Sequence, residues 1–370
     1  MQKEQIFRLI DEKTMHLPRY VELYVDYKRT DNRAKPNTLL SYLYDYERFF
    51  GWLVAEGYYK GPVKTIPLSI LEELKREDIQ YFQNYLERYT NIEKRSSRNR
   101  MMSSLKSLFH HLSQIAEDEL GDPLLKRNVM AKIELKNSKP SAKAQADSLK
   151  GRVFKSSEEI SDFIQFVEEL YPKTVTESHE KEPVKKRLLH YYNLNKERDT
   201  ALLALILGSG LRIFETVMLD IGDIDWIERG VRVERKGKEG KSLIHMSDTA
   251  KEYLERYLAI REERYRISSK EKAVFLSLPT GPNNKTGRLT KRAAQEMVLK
   301  YTKWYGKQLS VHNLRHSFAT VHWAENHDVF GLQSQLGHND PQTTQRYALI
   351  FDDTLREQID KMDKKKSESE

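Results

Sequence analysis

The residues best suited to chemistry lie between Val311 and Tyr347, where the chain reads VHNLRHSFATVH and then QLGHNDPQTTQRY. This stretch brings an arginine, several histidines and a tyrosine close together, and the chain contains no cysteine. Arginine and histidine side chains can hydrogen-bond phosphate oxygens. A tyrosine hydroxyl, with an ordinary pKa of about 10, attacks a phosphate only where cations surround that phosphate. The stretch therefore predicts chemistry on a phosphate.

A helix beginning after Ser310, a plausible N-cap, would carry His312, Arg315 and His316 on one face, because positions three and four apart are neighbours on a helix. Two histidines four apart also occur in helical zinc sites. Here the residue after His312 is Asn313, where a zinc protease needs its glutamate base. The pattern therefore favours a phosphate site over a metal site.

The motifs H-x-L-R-H, L-G-H and T-T-Q-x-Y, in this order and spacing, resemble those of the tyrosine recombinases of the phage-integrase family. The resemblance implies a first arginine motif upstream, and SGLRIFE at residues 209–215 is similar to the family's G-L-R-x-x-E. It also implies a catalytic lysine in the turn of a β-hairpin. Residues 231–246, VRVERKGKEGKSLIHM, read as two alternating strands around a turn rich in glycine and lysine.

Lys236 fits the position of the catalytic lysine best. The sequence departs from the family's G-K-G-x-K pattern, because Arg235 stands where a glycine is common and the turn is longer by a residue. Lys238 therefore remains an alternative.

The resemblance implies six catalytic residues and no metal or other cofactor. Two arginines would clamp the phosphate, two histidines would hydrogen-bond it, a lysine would protonate the leaving 5′ oxygen, and a tyrosine would attack and hold the 3′ phosphate. In that order they are Arg212, Arg315, His312, His338, Lys236 and Tyr347.

Each of these residues also has an ordinary structural interpretation. An arginine three positions before a glutamate, as in Arg212 and Glu215, is usually a helix salt bridge. One tyrosine among 20 is usually a packing residue. The joint order of all six positions is what favours a recombinase.

Length and charge fit an enzyme that acts on DNA. With 370 residues and 38% hydrophobic residues, the chain can form two domains with packed cores. Residues 91–155 carry 14 Lys or Arg against 7 Asp or Glu, so most of the net charge of +8 lies in one segment. No signal peptide or membrane-spanning run is apparent, and no disulfide is possible. These features predict a cytoplasmic location.

The expected fold is mainly α, with a small antiparallel β-sheet in the second domain, and the two domains are expected to form a clamp on DNA. Residues 1–135 read as a helical bundle that resembles the family's core-binding, SAM-like domain. Residues 136–153, without apolar periodicity, read as a basic linker. Residues 154–363 would form the catalytic domain with a C-terminal subunit-docking helix, followed by a polar tail, 364–370. No function is assigned to the extra residues 171–197.

Basic residues at the start of the fourth helix of the bundle and in the linker are candidates for contacts to DNA phosphates. The alternative is a solvated helix end and a plain tether. The candidates are Lys94, Arg95, Arg98, Arg100, Lys106, Lys139 and Lys143.

The resemblance implies a site-specific recombinase of the Xer type, most like the XerS subgroup, which resolves chromosome dimers at cell division. Its partners would be double-stranded DNA at a specific site, three further copies of the chain in a tetramer on two sites, and a DNA translocase of the division septum. A single site would hold a monomer or dimer before synapsis. The alternatives are a phage or mobile-element integrase, a DNA-binding relative without catalysis, and a type IB topoisomerase.

Overall fold

Helices dominate the computed structural model, which describes residues 3–30, 34–90, 92, 94–135, 141–235, 239–268, 270–278, 286–337, 346–347 and 349–351. The chain divides into two units, Met1–Lys139 and Pro140–Glu370. A mainly α fold with a small antiparallel sheet in the second unit confirms the predicted fold class. Among the described residues, no helix is both long and apolar enough to cross a membrane.

The first unit is a helical bundle. The four predicted helices are present as α2, α3, α5 and α6, and α1 and α4 were not predicted. The helices are α1 (Lys3–Thr14), α2 (Arg19–Thr30), α3 (Pro36–Ala55), α4 (Leu68–Glu73), α5 (Arg76–Tyr89) and α6 (Arg95–Gln114). A 3-10 turn, Val129–Lys132, closes the unit against α6.

Helix α3 is the centre of this bundle. Pro36 stands in its first turn, where the missing N–H costs nothing, and the chain leaves it through Gly57 in a left-handed conformation. Phe49 is fully buried, and its ring lies 5.2 Å from that of Phe82 on α5 and 6.2 Å from that of Phe109 on α6. Side chains from three helices therefore share one core in this unit.

The second unit contains the remaining helices and both sheets. Its helices are α7 (Ala142–Leu149), α8 (Ser157–Gln165), α9 (Tyr171–Glu177), α10 (Glu182–Ser209), α11 (Ile213–Met218), α12 (Asp248–Tyr265), α13 (Lys291–Trp304), α14 (Val311–Asn326) and α15 (Val329–Leu336). A π-helical turn, Phe166–Leu170, joins α8 to α9, and 3-10 turns span Ile221–Asp223 and Leu349–Phe351.

Two small antiparallel sheets flank these helices. The first has the order β1-β2-β3, with β1 (Ile224–Asp225), β2 (Gly230–Glu234) and β3 (Lys241–His245). Strands β2 and β3 form the predicted hairpin, in which Glu234 pairs with Lys241 next to the turn. The second sheet pairs β4 (Leu276–Ser277) with β5 (Gly287–Arg288).

The structure corrects the predicted linker 136–153. Residues 136–140, including Lys139, lie outside the described residues, but Ser141 caps α7 and the stretch that follows belongs to the second unit. Ala146 and Leu149 on one face of α7 are buried in a small core. Two buried positions on a short, otherwise polar helix do not produce an apolar pattern that the sequence would reveal.

The extra residues 171–197 form α9 and the first half of α10. Tyr171 and Tyr192 are buried there, and their rings lie 5.4 Å apart. Helix α10 packs against α12 and α14. Helix α10 therefore serves as the central support of the second unit, and its C-terminal end leads directly to Arg212.

Candidate active site

Arg212 and Arg315, far apart in the sequence, meet at the carboxylate of Glu215. Arg212 is the N-cap of α11, and its backbone N–H and its guanidinium both donate to Glu215, at 2.8 and 2.7 Å. A guanidinium nitrogen of Arg315, on α14, lies 4.0 Å from the same carboxylate. The salt bridge that the local pattern suggested is therefore present, and it also joins the two arginine motifs.

Gly210 makes this approach possible. Its φ of 68° is left-handed, which a residue with a side chain rarely adopts. A Cβ at this position would also lie 2.4 Å from a ring carbon of Phe318. Because Arg315 donates to the carbonyl of Gly210, the turn and the second arginine hold each other in place.

Arg315 is buried, whereas the side chain of Arg212 is 44% exposed. Arg315 also donates to the carbonyl of Leu336, at 2.7 Å, which ties α14 to the end of α15. Burial and the nearby Arg212 lower the pKa of Arg315 to about 10. Arg315 therefore remains charged at neutral pH and is fixed inside the protein, whereas Arg212 faces solvent.

An open groove of about 630 Å³ lies beside these arginines. It is lined by Arg212, His312 and Arg315, and by Lys291 and Arg292 at the start of α13. Lys291 and Arg292 were not among the predicted site residues, because nothing local distinguishes them from other exposed basic residues on a helix. The groove carries several basic side chains and is of a size that a phosphodiester can enter.

The hydroxyl of Tyr347 lies 2.8 Å from Nδ1 of His316. Tyr347 is fully buried, and the rings of His316 and His312 are 4.2 Å apart in an edge-on contact. Burial raises the pKa of Tyr347, while Arg346 and Arg315 oppose that shift. The tyrosine therefore lies in a cationic environment with a histidine at its hydroxyl, although His316 was not among the predicted catalytic residues.

Helices α7 and α15 cover the tyrosine. Tyr347 belongs to a small core that contains Leu149 of α7 and Leu336 of α15. The guanidinium of Arg346 lies 5.2 Å from the centre of the Tyr347 ring and contacts the side-chain oxygen of Gln145 at 3.4 Å. The helix that replaces part of the predicted linker thus helps to position the tyrosine.

Three predicted residues, Lys236, Lys238 and His338, lie outside the described residues. Their sequence neighbours Arg235 and Gly337 are described, and both lie beside the arginine cluster. Within the described part of the chain, no cluster of three His, Asp or Glu side chains could hold a metal ion.

Curated relatives match the chain over nearly its full length. Tyrosine recombinase XerS of Lactococcus lactis subsp. lactis (strain IL1403) is 32% identical over 98% of this chain and 100% of its own. Tyrosine recombinase XerS of Streptococcus sanguinis (strain SK36) is 33% identical with the same coverage. Residues 181–353 match the phage integrase family. The chain belongs to the tyrosine recombinase family.

Solved structures agree with this family at the level of the fold. The pre-cleavage complex of XerH site-specific recombinase bound to difH substrate has a TM-score of 0.59 and 17% identity, over 94% of this chain and 86% of that chain. The Tn1549 transposon integrase in complex with circular intermediate DNA has a TM-score of 0.55 and 18% identity, over 89% of this chain. Because the XerS relatives match nearly the whole chain, the protein is a site-specific recombinase, as its sequence motifs predicted.

In the recombinase's first unit, several candidate DNA-binding residues have partners inside the protein. Arg100 holds the buried carboxylate of Asp45 with both ends of its guanidinium. Lys106 donates to the carbonyl of Ile133 at 2.6 Å. Arg98 lies 3.4 Å from an oxygen of Glu87. Part of this basic cluster therefore stabilises the bundle, which sequence alone could not distinguish from a phosphate-binding surface.

The other candidates in the described residues remain at the surface. Lys94 and Arg95 are exposed at the start of α6, and Lys143 is exposed on α7. Contacts of these residues with DNA stay a prediction.

Proposed function

We propose that this recombinase cuts and rejoins duplex DNA at a specific site through a 3′-phosphotyrosine formed by Tyr347. The proposal rests on one helix, α14, whose side chains contact both the expected phosphate clamp and the tyrosine nucleophile. Arg315 of this helix meets Arg212 at a shared carboxylate, and His316 of the same helix holds the hydroxyl of Tyr347. A phosphate held by the arginines would thus lie close to a nucleophile.

In the cleavage step, the oxygen of Tyr347 forms a bond to phosphorus while the bond from phosphorus to the 5′ oxygen breaks. The phenolic proton passes to a histidine, His312 or His338, and Lys236 gives a proton to the departing 5′ oxygen. Rejoining reverses these transfers with the 5′ hydroxyl of another strand. Because the phosphotyrosine conserves the energy of the broken phosphodiester, the exchange requires no nucleotide cofactor.

The arginines would act on the charge that builds up on the non-bridging phosphate oxygens. Donors fixed before the reaction stabilise such charge most effectively, and removal of one typically costs about 10²–10³-fold in rate. Arg315 is fixed by carbonyls of Gly210 and Leu336, so it is held in place without a substrate. Arg212, more exposed, would complete the clamp when the phosphate binds.

The biological role we propose is resolution of chromosome dimers at cell division, in the cytoplasm. It is supported by similarity over nearly the full chain to relatives named XerS. Integration of a mobile element uses the same chemistry, and similarity to a transposon integrase keeps this alternative open. Recombination between two chromosomal sites in the host, lost on deletion of the gene, distinguishes dimer resolution from integration.

The active assembly we propose is a tetramer on two DNA sites, with each single site bound by a monomer or dimer before synapsis. The predicted docking helix and polar tail, residues 352–370, lie outside the described residues. A DNA translocase of the division septum is the further partner expected for a resolvase. Recombination that depends on this translocase in cells would support the role.

Covalent trapping tests the proposed chemistry. A nicked duplex carrying sequence from the host's chromosomal terminus releases a short fragment on cleavage. Because that fragment carries the 5′ hydroxyl needed for rejoining, the DNA stays attached to the protein. We expect an adduct that resists SDS with the wild-type chain, and none with Tyr347→Phe, which should still bind DNA. An adduct that persists in Tyr347→Phe overturns the assignment.

Tyr301→Phe is a matched control, because this tyrosine is also buried. Its hydroxyl donates to Asp199 at 2.9 Å, and burial holds its pKa well above the ordinary value. We therefore expect Tyr301→Phe to form the adduct. Relaxation of supercoils without recombinant products would favour a topoisomerase instead, and absence of any adduct in the wild type would favour a non-catalytic relative.

A further inference from the structure

Arg235 is a buried arginine between the end of β2 and the last turn of α15. Its guanidinium donates to the carbonyls of Ser334 and Gln335, at 3.0 and 2.6 Å. Its Nε lies 3.9 Å from the carboxylate of Glu215, the same carboxylate that joins the two arginine motifs. A charged side chain is rarely buried without such partners, so Arg235 is a fixed part of this region.

The last turn of α15 is a natural partner for a guanidinium. The final carbonyls of a helix have no partner within it and carry the negative end of the helix dipole. The planar fork of arginine can bind two of them at once. Gly337 leaves the required space, since a Cβ there would lie 2.5 Å from Nη1 of Arg235.

A second contact fixes the other end of the same hairpin. The side-chain amide of Gln335 donates to the carbonyl of His245, at the end of β3, and to that of Ser209, at the end of α10. His245 pairs with Gly230 at the base of the hairpin, away from the turn. Helix α15 therefore holds the hairpin at its base through Gln335 and near its turn through Arg235.

We infer that Arg235 is a positioning residue that fixes the turn end of β2 against α15 and the Glu215 arginine cluster, and thereby sets the approach of the lysine-bearing turn to the phosphate. The inference rests on the proposed function, in which Lys236, the next residue in the sequence, protonates the leaving oxygen. Gly337, which directly precedes His338, lies against the same guanidinium. The Arg235 side chain thus brings together the residues that directly precede two predicted catalytic residues, Lys236 and His338.

Stability alone does not account for an arginine at this position. Arg235 is the third cation beside Glu215, after Arg212 and Arg315. Burial of charge is costly, and replacing a buried ionic group by an apolar side chain of similar volume is often neutral or stabilising. An apolar side chain, however, could not bind the carbonyls that fix the strand to the helix.

The test compares Arg235→Met with Lys236→Ala and Lys238→Ala on two versions of the target duplex. One has a normal scissile phosphate, and the other has sulfur in place of the bridging 5′ oxygen, which leaves without a proton. On the normal duplex we expect Arg235→Met to cleave about 10²-fold more slowly, the order of loss expected when a catalytic group is displaced by about 1 Å. On the sulfur duplex we expect Arg235→Met and the variant of the acid lysine to recover together.

A double variant sharpens the result. If Arg235 acts through the lysine, Arg235→Met combined with Lys236→Ala should cleave the normal duplex no more slowly than Lys236→Ala alone. Recovery of a lysine variant without recovery of Arg235→Met overturns this inference but not the proposed function. Failure of both lysine variants to recover overturns the lysine assignment and this inference together.

Arg261→Met is the matched control. Arg261 is equally buried and binds the carbonyls of Glu271, Ala273 and Val274, but it contacts none of the residues of the Glu215 cluster that the structure describes. It should lose thermal stability without any selective recovery on the sulfur duplex. If Arg235→Met does not fold, Arg235→Lys, which keeps the charge but lacks the fork, supports the same comparison with a smaller loss.

Discussion

The phenolic oxygen of Tyr347 and Nδ1 of His316 are 2.8 Å apart, and both side chains are buried. The hydroxyl is thus satisfied by a histidine from the helix that also carries Arg315. To attack a phosphate, the phenolic oxygen must exchange this hydrogen bond for a position in the groove. His316 is therefore expected to influence the position of the nucleophile.

Replacement of His316 by alanine should slow covalent adduct formation by about 10²-fold, the order of loss expected when a catalytic group is displaced by about 1 Å. Binding to target DNA should change little, because the contact is internal to the protein. The measurement is the rate of SDS-resistant adduct on nicked DNA. His322→Ala, on the same helix, should cleave at the normal rate, and a normal rate for His316→Ala would disprove the role.

The stability of the second unit should depend on pH through His312. Burial, with Arg315, Arg346 and Arg212 nearby, lowers the pKa of this histidine below its ordinary value of about 6.5. The unfolded chain then binds the proton more readily than the folded chain. The contribution of neutral His312 to the free energy of unfolding is therefore full above about pH 6.5 and is lost as the pH falls below that value.

Thermal midpoints of the wild type and His312→Asn between pH 8 and pH 5 check this prediction. The wild type should lose stability relative to the variant as the pH falls below about 6.5. A wild type that gains stability relative to the variant at low pH would show that the shift has the opposite sign.

Arg100 and Lys94 should behave differently although they lie near each other in the sequence. Arg100→Ala leaves the carboxylate of Asp45 buried without its main partner, and we expect a loss of roughly 1–3 kcal/mol in the free energy of unfolding. Lys94→Ala should leave stability unchanged and reduce the log–log salt dependence of DNA binding by about 0.9. Equal effects of the two variants on the salt dependence of DNA binding would contradict a structural role for Arg100 and a DNA-binding role for Lys94.

Truncation after Phe351 should impair recombination between two sites while single-site binding remains nearly intact. The removed residues include Leu355, Ile359 and Met362, which the sequence predicts to lie on one face of the docking helix and to be buried against another surface. Truncation earlier, after Ala348, would also remove Ile350, which is buried in the core around Tyr347.

Truncation after Asp363, which removes only the polar tail, is the control and should recombine normally. Native gels with one-site and two-site DNA measure binding and synapsis separately. Full recombination by the shorter chain would show that residues 352–363 do not link the subunits.

Cleavage should continue in the presence of EDTA, because Arg212 and Arg315 are the cations proposed to stabilise the phosphate. The assay is adduct formation after dialysis against the chelator. Loss of the adduct, with recovery on addition of one divalent ion and not of others, would replace the arginine clamp by a metal mechanism.

Local sequence patterns were sufficient to predict helix starts, the hairpin and the family. Ser310 caps α14 as expected, and Ser156 caps α8. A capping hydroxyl accepts from a free backbone N–H within the first turn, so the sequence alone can indicate it. The alternating strands around residues 236–238 likewise form the hairpin β2 and β3. The motifs with Arg212 and Arg315 predicted the recombinase family, since they depend on residue type and order.

The sequence by itself determined the family, four helices of the first unit, helix α14 and the hairpin, because these depend on short-range periodicity, capping and motif spacing. Only the tertiary structure decided that Glu215 joins the arginines, that His316 meets Tyr347, and that Arg235 binds the end of α15. It also decided that α7 is a packed helix. These contacts join residues far apart in the chain, and their energies depend on burial and geometry that no local pattern encodes.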